Sequence, residues 1–149
     1  MKELKISAIR EGAVIDHISP ENAFKVVEIL NLKDKDDIVM VGVNLQSKKI
    51  GKKGVIKIGN SFPTKEEIDK IALIAPEANL NIIKDYNVIS KERVKIPDVL
   101  EVIIRCANPK CITNAENHKT KFYVLEKSPL RMRCHYCERI MEAADIELV

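Results

Sequence analysis

All four cysteines of the chain fall into two close pairs, Cys-Ala-Asn-Pro-Lys-Cys at 106 to 111 and Cys-His-Tyr-Cys at 134 to 137, with 22 residues between them. Each pair lets one tight loop present two thiolates to the same ion, which is what a closed tetrahedral site needs. We read Cys106, Cys111, Cys134 and Cys137 as ligands of a structural zinc ion. Iron and a pair of disulfides are the alternatives. Disulfides suit a secreted chain, but residues 1–15 carry three basic side chains and no apolar run long enough for a signal peptide or a membrane span, so the expectation is reduced thiols in a cytoplasmic protein. His118 and His135 lie nearby, yet four thiolates already fill the tetrahedron, so both are expected in solvent-facing loops. A filled shell leaves no position for water or substrate, which points to a scaffold rather than a catalyst.

The cysteines crowd into the last third of the 149 residues, which favours two small domains. Trp is absent, so the cores must be built from Ile, Val and Leu. Charge divides unevenly. Residues 1–97 hold 17 Lys and Arg against 14 Asp and Glu, and residues 98–149 hold 8 of each. Zinc on four thiolates would add two negative charges to the second part, and that counts against gripping nucleic acid, which needs a cationic face.

Along the first part, Leu4 to Ile9 reads as a weak strand and Ala13 to Ile18 as a stronger one, with the polar pair Asp16 and His17 near its end. Ser19-Pro20-Glu21 is a helix start. Ala23, Val26, Val27 and Leu30 then form an apolar stripe that Phe24 is expected to widen. Ile38 to Val43 is a continuous apolar run, expected in the middle of a sheet. Asn44 to Gly54 reads as a solvated, lysine-rich loop, and Val55 to Ile58 as a strand with Ile56 and Ile58 on one face and Lys53, Val55 and Lys57 on the other. Thr64 to Glu67 is a capping box before a second stripe of Ile68, Ile71, Ala72 and Ala75. Leu80 to Ile83 is a strand placing Asn81 and Ile83 opposite Leu80 and Ile82. Tyr86 to Ile89 is a further short strand, and Lys91 to Pro97 reads as a linker.

The order strand, helix, strand, strand, helix, strand is that of a ferredoxin-like α/β sandwich, in which both helices cover one face. The whole chain is therefore expected to be α+β, with such a domain at 1–97 followed by a small all-β zinc-binding domain at 98–149. The uncovered face collects Lys53, Val55, Lys57, Asn81 and Ile83. Apolar surface for a base, an amide for its edge and ammonium groups for phosphates suit a nucleotide. No Walker loop, Gly-x-Gly-x-x-Gly or Gly-x-Ser-x-Gly motif is present.

Gly12-Ala-Val-Ile-Asp-His-Ile18, Gly42-Val-Asn-Leu45, Lys53-Gly-Val-Ile-Lys-Ile58 and the two cysteine spacings together resemble the regulatory chain of aspartate carbamoyltransferase, over nearly the whole length. The resemblance implies a non-catalytic subunit with an allosteric domain that binds CTP, the feedback inhibitor of pyrimidine biosynthesis, and ATP, its activating competitor. By matching position it implies Asp16, His17 and Lys57 around ribose and phosphates and Lys91 at the phosphates. Ile9, Asn81, Ile83, Tyr86 and Val88 would line the base site, with Ile6 and Val55 bordering the pocket. It further implies that allosteric domains pair into regulatory dimers, that the zinc domain contacts the catalytic chain, and that the dimers bridge catalytic trimers. Bacterial members often carry an acid where this chain has Ser7, which bears on nucleotide preference. The alternative is a zinc-ribbon nucleic-acid-binding protein, distinguished by salt-dependent DNA binding without mononucleotide binding.

Overall fold

The computed structural model describes residues 9–32 and 36–149. The expected strand at Leu4 to Ile9 lies outside the described residues except for Ile9, as do Ile6 and Ser7. The chain divides into two compact units, Met1–Lys95 and Ile96–Val149.

The first unit runs β1 (Gly12–Ile18), α1 (Ala23–Leu30), β2 (Val39–Ser47), β3 (Gly51–Gly59), α2 (Lys65–Ile74), β4 (Asn79–Lys84) and β5 (Asn87–Arg93). The strands are antiparallel in the order β2-β3-β1-β4-β5, the ferredoxin-like arrangement with one strand added beside β4. The helix-covered face supplies the core. Ala13 and Ile15 of β1 and Ile56 and Ile58 of β3 meet Ala23, Val26 and Leu30 of α1 and Ile71 and Ala72 of α2, all buried. Each larger aliphatic side chain contributes about 1.5–3 kcal/mol by leaving water. Two glycines permit this closeness. A Cβ on Gly54 would stand 2.9 Å from Ala23 Cβ, and one on Gly12, at φ +140°, would stand 1.8 Å from the Ile58 carbonyl oxygen.

The capping box is formed: the Glu67 N–H donates to Thr64 Oγ1 at 3.2 Å and the Thr64 N–H to Glu67 Oε1 at 2.9 Å. Ser19 instead precedes a single 3₁₀ turn, Pro20–Asn22, and accepts from Asn22 Nδ2. Four expectations are corrected. Ile38 to Val43 contributes to β2, which stands at the sheet edge among the described residues. Its apolar residues are partly uncovered there, with Val41 40% exposed. Phe24 does not widen the core stripe, because its position on α1 turns it to solvent. The lysine-rich stretch is mostly ladder: Leu45, Gln46 and Ser47 pair with Lys53, Lys52 and Gly51, and only Lys48 to Ile50 turns. The supposed linker begins as strand, since Asn79, Leu80 and Asn81 pair with Arg93, Glu92 and Lys91, and beyond it Val94 and Ile96 are buried.

The second unit is an antiparallel sheet in the order β6 (Val99–Glu101), β7 (Lys121–Lys127), β8 (Leu130–Cys134), β9 (Ile140–Glu142), with the single-turn helix α3 (Ile112–Ala115) after the first cysteine pair. Leu100, Phe122, Met132 and Met141 form its buried face. The apolar run from Val99 stops pairing at Val102, whose φ of +61° turns the chain toward Cys106.

Candidate functional site

The two cysteine pairs converge. Their sulfurs all lie within 4.8 Å of one another, with Cys106 Sγ 3.6 Å from Cys137 Sγ and Cys111 Sγ 3.7 Å from Cys134 Sγ. A zinc ion with Zn–S bonds of about 2.3 Å has tetrahedral edges of about 3.8 Å, whereas a disulfide needs about 2.05 Å. The geometry fits one ion held by four sulfurs and fits no disulfide. The local folding explains the convergence. Asn114 on α3 donates through Nδ2 to the carbonyls of Cys106 and Asn108 at 2.9 and 2.8 Å, closing the first knuckle, and the Glu138 N–H donates to the Cys134 carbonyl to close the second. Thr113 Oγ1 donates to Cys111 Sγ at 3.2 Å. Burial pushes the Cys106 and Cys134 thiols up. Burial acts the same way on Cys137, but the Arg139 N–H and neighbouring side chains outweigh it and bring that thiol down to about 7. Such a set suits a cation, because bound metal lets four neighbouring sulfurs ionise together. His118 and His135 stay outside the cluster, on Glu116 and Tyr123 respectively.

The open face of the first sheet carries the other expected residues. Lys57 of β3 stands opposite Val14 of β1, Val14 opposite Asn81 of β4, and Asn81 opposite Lys91 of β5. Directly opposed residues share a face, so these four form one row with an ammonium group toward each end. The row toward the start of β1 is Gly12, Ile83 and Val88, and the row toward its end is Asp16, Asn79 and Arg93. Val55 lies on the same face of β3 and is buried.

His17 sits where β1 bulges out of register with β3, at φ +59°, and its N–H donates to Asp16 Oδ1 at 2.7 Å. Lys53 closes on the same carboxylate at 2.9 Å. Burial pulls the Lys57 ammonium below the ordinary lysine range, with the Asp16 charge opposing that effect. Among the described residues, two buried polar side-chain atoms have no hydrogen-bond partner: His17 Nδ1 and Asn81 Oδ1. Leaving such atoms unpaired costs about 1–3 kcal/mol each.

The structure does not bring every expected residue into one hollow. Ile9 and Tyr86 line a cavity of about 600 Å³ with Arg10, Glu11, Met40 and Gly59, at the start of β1. His17 lines a smaller one of about 190 Å³ with Lys49, Asn79 and Arg93, at its other end. The Lys57 to Lys91 row lies between these ends. Val14, central in that row, is absent from the expected site, although its alternation with Asp16 in Gly-Ala-Val-Ile-Asp-His-Ile places it on the same face. Lys53 is expected on the open face; its bond to Asp16 comes only from the β1–β3 register.

Fold and sites define a two-unit chain that joins one four-sulfur metal centre to one open, cation-flanked β-sheet face. The allosteric domain of the aspartate carbamoyltransferase regulatory chain matches residues 4–95, and the metal binding domain of that chain matches residues 98–147. The aspartate carbamoyltransferase regulatory chain of Pyrococcus abyssi is 52% identical over 148 residues, covering 98% of this chain and 97% of its own. That of Bacteroides fragilis is 47% identical over 146 residues, covering 98% and 95%. The chain belongs to the family of aspartate carbamoyltransferase regulatory chains.

Proposed function

We propose that the chain is the non-catalytic regulatory subunit of aspartate carbamoyltransferase, binding CTP and ATP as competing effectors on the open face of its first sheet. The observation that carries this is the Lys57–Val14–Asn81–Lys91 row with its unpartnered acceptor on Asn81 and the neighbouring unpartnered His17 Nδ1. Asn81 Oδ1 accepts a hydrogen bond from ligand, Val14 and Ile83 offer apolar contact to the base, Asp16 and His17 meet ribose and phosphate, and Lys57 and Lys91 neutralise phosphate oxygens. Ile9, Tyr86 and Val88 border the base end, and Val55 supports the face beside Lys57. Ile6 completes the border and lies outside the described residues.

Cys106, Cys111, Cys134 and Cys137 hold a structural zinc ion. Its four-sulfur shell supplies folding free energy and no open coordination position. The zinc-binding domain, 98–149, docks on the catalytic chain, and the allosteric domain, 1–97, pairs with a second copy; the edge of β2, uncovered among the described residues, and the exposed Val41 support that pairing. Dimers of this kind bridge catalytic trimers and carry control of pyrimidine biosynthesis in the cytoplasm. Effectors act only through their difference in affinity for two states of the assembly. The zinc domain holds as many acids as cations, and Arg105, Lys121, Lys127 and Arg131 pair with Glu147, Glu101, Asp98 and Glu126, which leaves no net cationic excess and counts against the nucleic-acid reading.

Calorimetric titration of the zinc-loaded chain with CTP, repeated with Lys57→Ala and Lys91→Ala, tests the effector site. Saturable binding that weakens in both variants is expected. Binding that ignores both substitutions would place the effector elsewhere.

A further inference from the structure

The two cysteine pairs are held in place differently. Cys134 ends β8 and Ile140 begins β9, so the second pair sits at the turn of a β-hairpin whose strands are paired to each other. Backbone groups close it: the Glu138 N–H donates to the Cys134 carbonyl and the Cys134 N–H to the Arg139 carbonyl, both at 3.0 Å. The first pair lies in irregular chain between β6 and α3 and encloses four residues instead of two. Two extra residues bring conformational freedom that a tie from outside the loop must offset.

Asn114 supplies that tie. Its Nδ2 lies 2.9 Å from the Cys106 carbonyl oxygen and 2.8 Å from that of Asn108. Both partners can only accept, so the atom between them is the amide nitrogen, and both of its hydrogens are spent on the loop. The backbone of the same residue is anchored on the other cysteine: the Asn114 and Ala115 N–H groups donate to the Cys111 carbonyl at 2.9 and 3.1 Å. Thr113, 4% exposed, donates to Cys111 Sγ from the same turn. One residue of α3 therefore joins Cys106 to Cys111 across the loop, with its side chain at one cysteine and its backbone at the other.

We infer that Asn114 is the latch of the metal centre: it holds Cys106 and Cys111 at the spacing one ion needs, and the ion leaves the chain by the opening of this first knuckle. The inference rests on the reading above that the four sulfurs hold zinc, and it names the residue that governs how long the ion is retained. Asn114 contributes no sulfur and acts through the loop, so it is a positioning residue. When its two bonds break, the Cys106 end of the loop swings away while Cys134 and Cys137 stay in their hairpin. Asn114→Asp keeps the shape of the side chain but turns lone pairs toward two carbonyl oxygens, which converts the tie into a repulsion.

The experiment mixes the zinc-loaded chain with an excess of a chromogenic chelator and follows the rate of zinc release. Asn114→Ala and Asn114→Asp are compared with the wild type and with two controls. Asn117→Asp adds the same charge at an exposed position just after α3, and Leu100→Ala weakens the buried face of the second unit's sheet. Cobalt-loaded forms report by their absorption whether four sulfurs still bind, and melting temperatures report stability. Release about 10- to 100-fold faster in both Asn114 variants, with the four-sulfur cobalt spectrum retained and both controls well below them, is the expected result. Release from the Asn114 variants at the wild-type rate would overturn the latch. Acceleration that simply tracks melting temperature across all variants, Leu100→Ala included, would overturn it too, because the ion would then leave through unfolding of the whole unit. A wild-type chain that binds neither zinc nor cobalt would overturn the zinc reading and this inference with it.

Discussion

The Lys53 ammonium lies 2.9 Å from the Asp16 carboxylate, and the side chains are only 20% and 24% exposed. The pair spans β3 and β1 beside the bulge at His17, whose N–H donates to the same Asp16 oxygen, while Lys53 also reaches the other oxygen at 3.1 Å. Lys53 therefore fixes the carboxylate that borders the proposed phosphate site. Lys53→Ala is expected to destabilise the first unit by about 1–2 kcal/mol, more than an exposed pair is worth. It should also weaken CTP several-fold by leaving Asp16 unneutralised near the phosphates. Urea denaturation and calorimetry check the two effects; unchanged CTP affinity would confine the pair to a structural role.

Lys57 is held below the ordinary lysine range by burial. A folded-state lysine pKa below its unfolded value costs stability at neutral pH and gives that stability back as pH rises through the folded pKa toward the unfolded one. Lys57→Leu is therefore expected to leave the melting temperature at pH 7 unchanged or higher while weakening CTP about 10- to 100-fold. For the wild type, a phosphate beside Lys57 raises its pKa, so CTP binding takes up protons at alkaline pH and weakens as pH climbs. Calorimetry in buffers of different ionisation enthalpy measures that uptake.

Metal removal should unfold the second unit alone. The buried face of Leu100, Phe122, Met132 and Met141 is small, and the knuckles that carry the cysteines depend on the ion. A strong chelator is expected to collapse amide shifts from Ile96 onward while those of the first unit persist. Retained dispersion in the second unit would show that it folds without metal.

Metal loading must also displace protons. Cys106 and Cys134 are pushed up by burial, whereas Cys137 titrates at about 7 in the metal-free cluster. Zinc binding should release about one proton fewer at pH 8 than at pH 6, and apparent affinity should rise with pH throughout. Pulsed titration in weakly buffered solution counts the protons.

Gly12→Ala is expected to destabilise by about 2–4 kcal/mol, because its φ of +140° disfavours a side chain and its Cβ would overlap the Ile58 carbonyl. Thermal melts measure the loss, and a neutral variant would mean that β1 and β3 separate freely at that point.

The metal centre was the most legible part of the chain because its information is local. Two short spacings, x4 and x2, present thiolates in pairs whatever lies between them, and the structure brings all four sulfurs within 4.8 Å. The helices were legible for a similar reason, since the Thr64–Glu67 box and the stripe at Ile71 and Ala72 depend on neighbours within two turns. Strand extents were less so. Lys52 and Lys53 look like loop residues until Gln46 and Leu45 stand across from them, and Lys91 looks like linker until Asn81 does.

The sequence by itself determined the two cysteine pairs, the start of α2 at Thr64, the alternation of Lys57 with Ile56 and Ile58, and the ferredoxin-like order of elements. Tertiary structure alone decided that β2 stands at an edge among the described residues, that Val14 lies between Lys57 and Asn81, that Lys53 holds Asp16, and that Tyr123 shares a face with Arg133. The physical reason is register. Side-chain direction along a strand follows from local alternation, but which residues stand opposite each other is set by pairing between segments far apart in the chain, and a one-residue slip or a bulge such as that at His17 changes every partner.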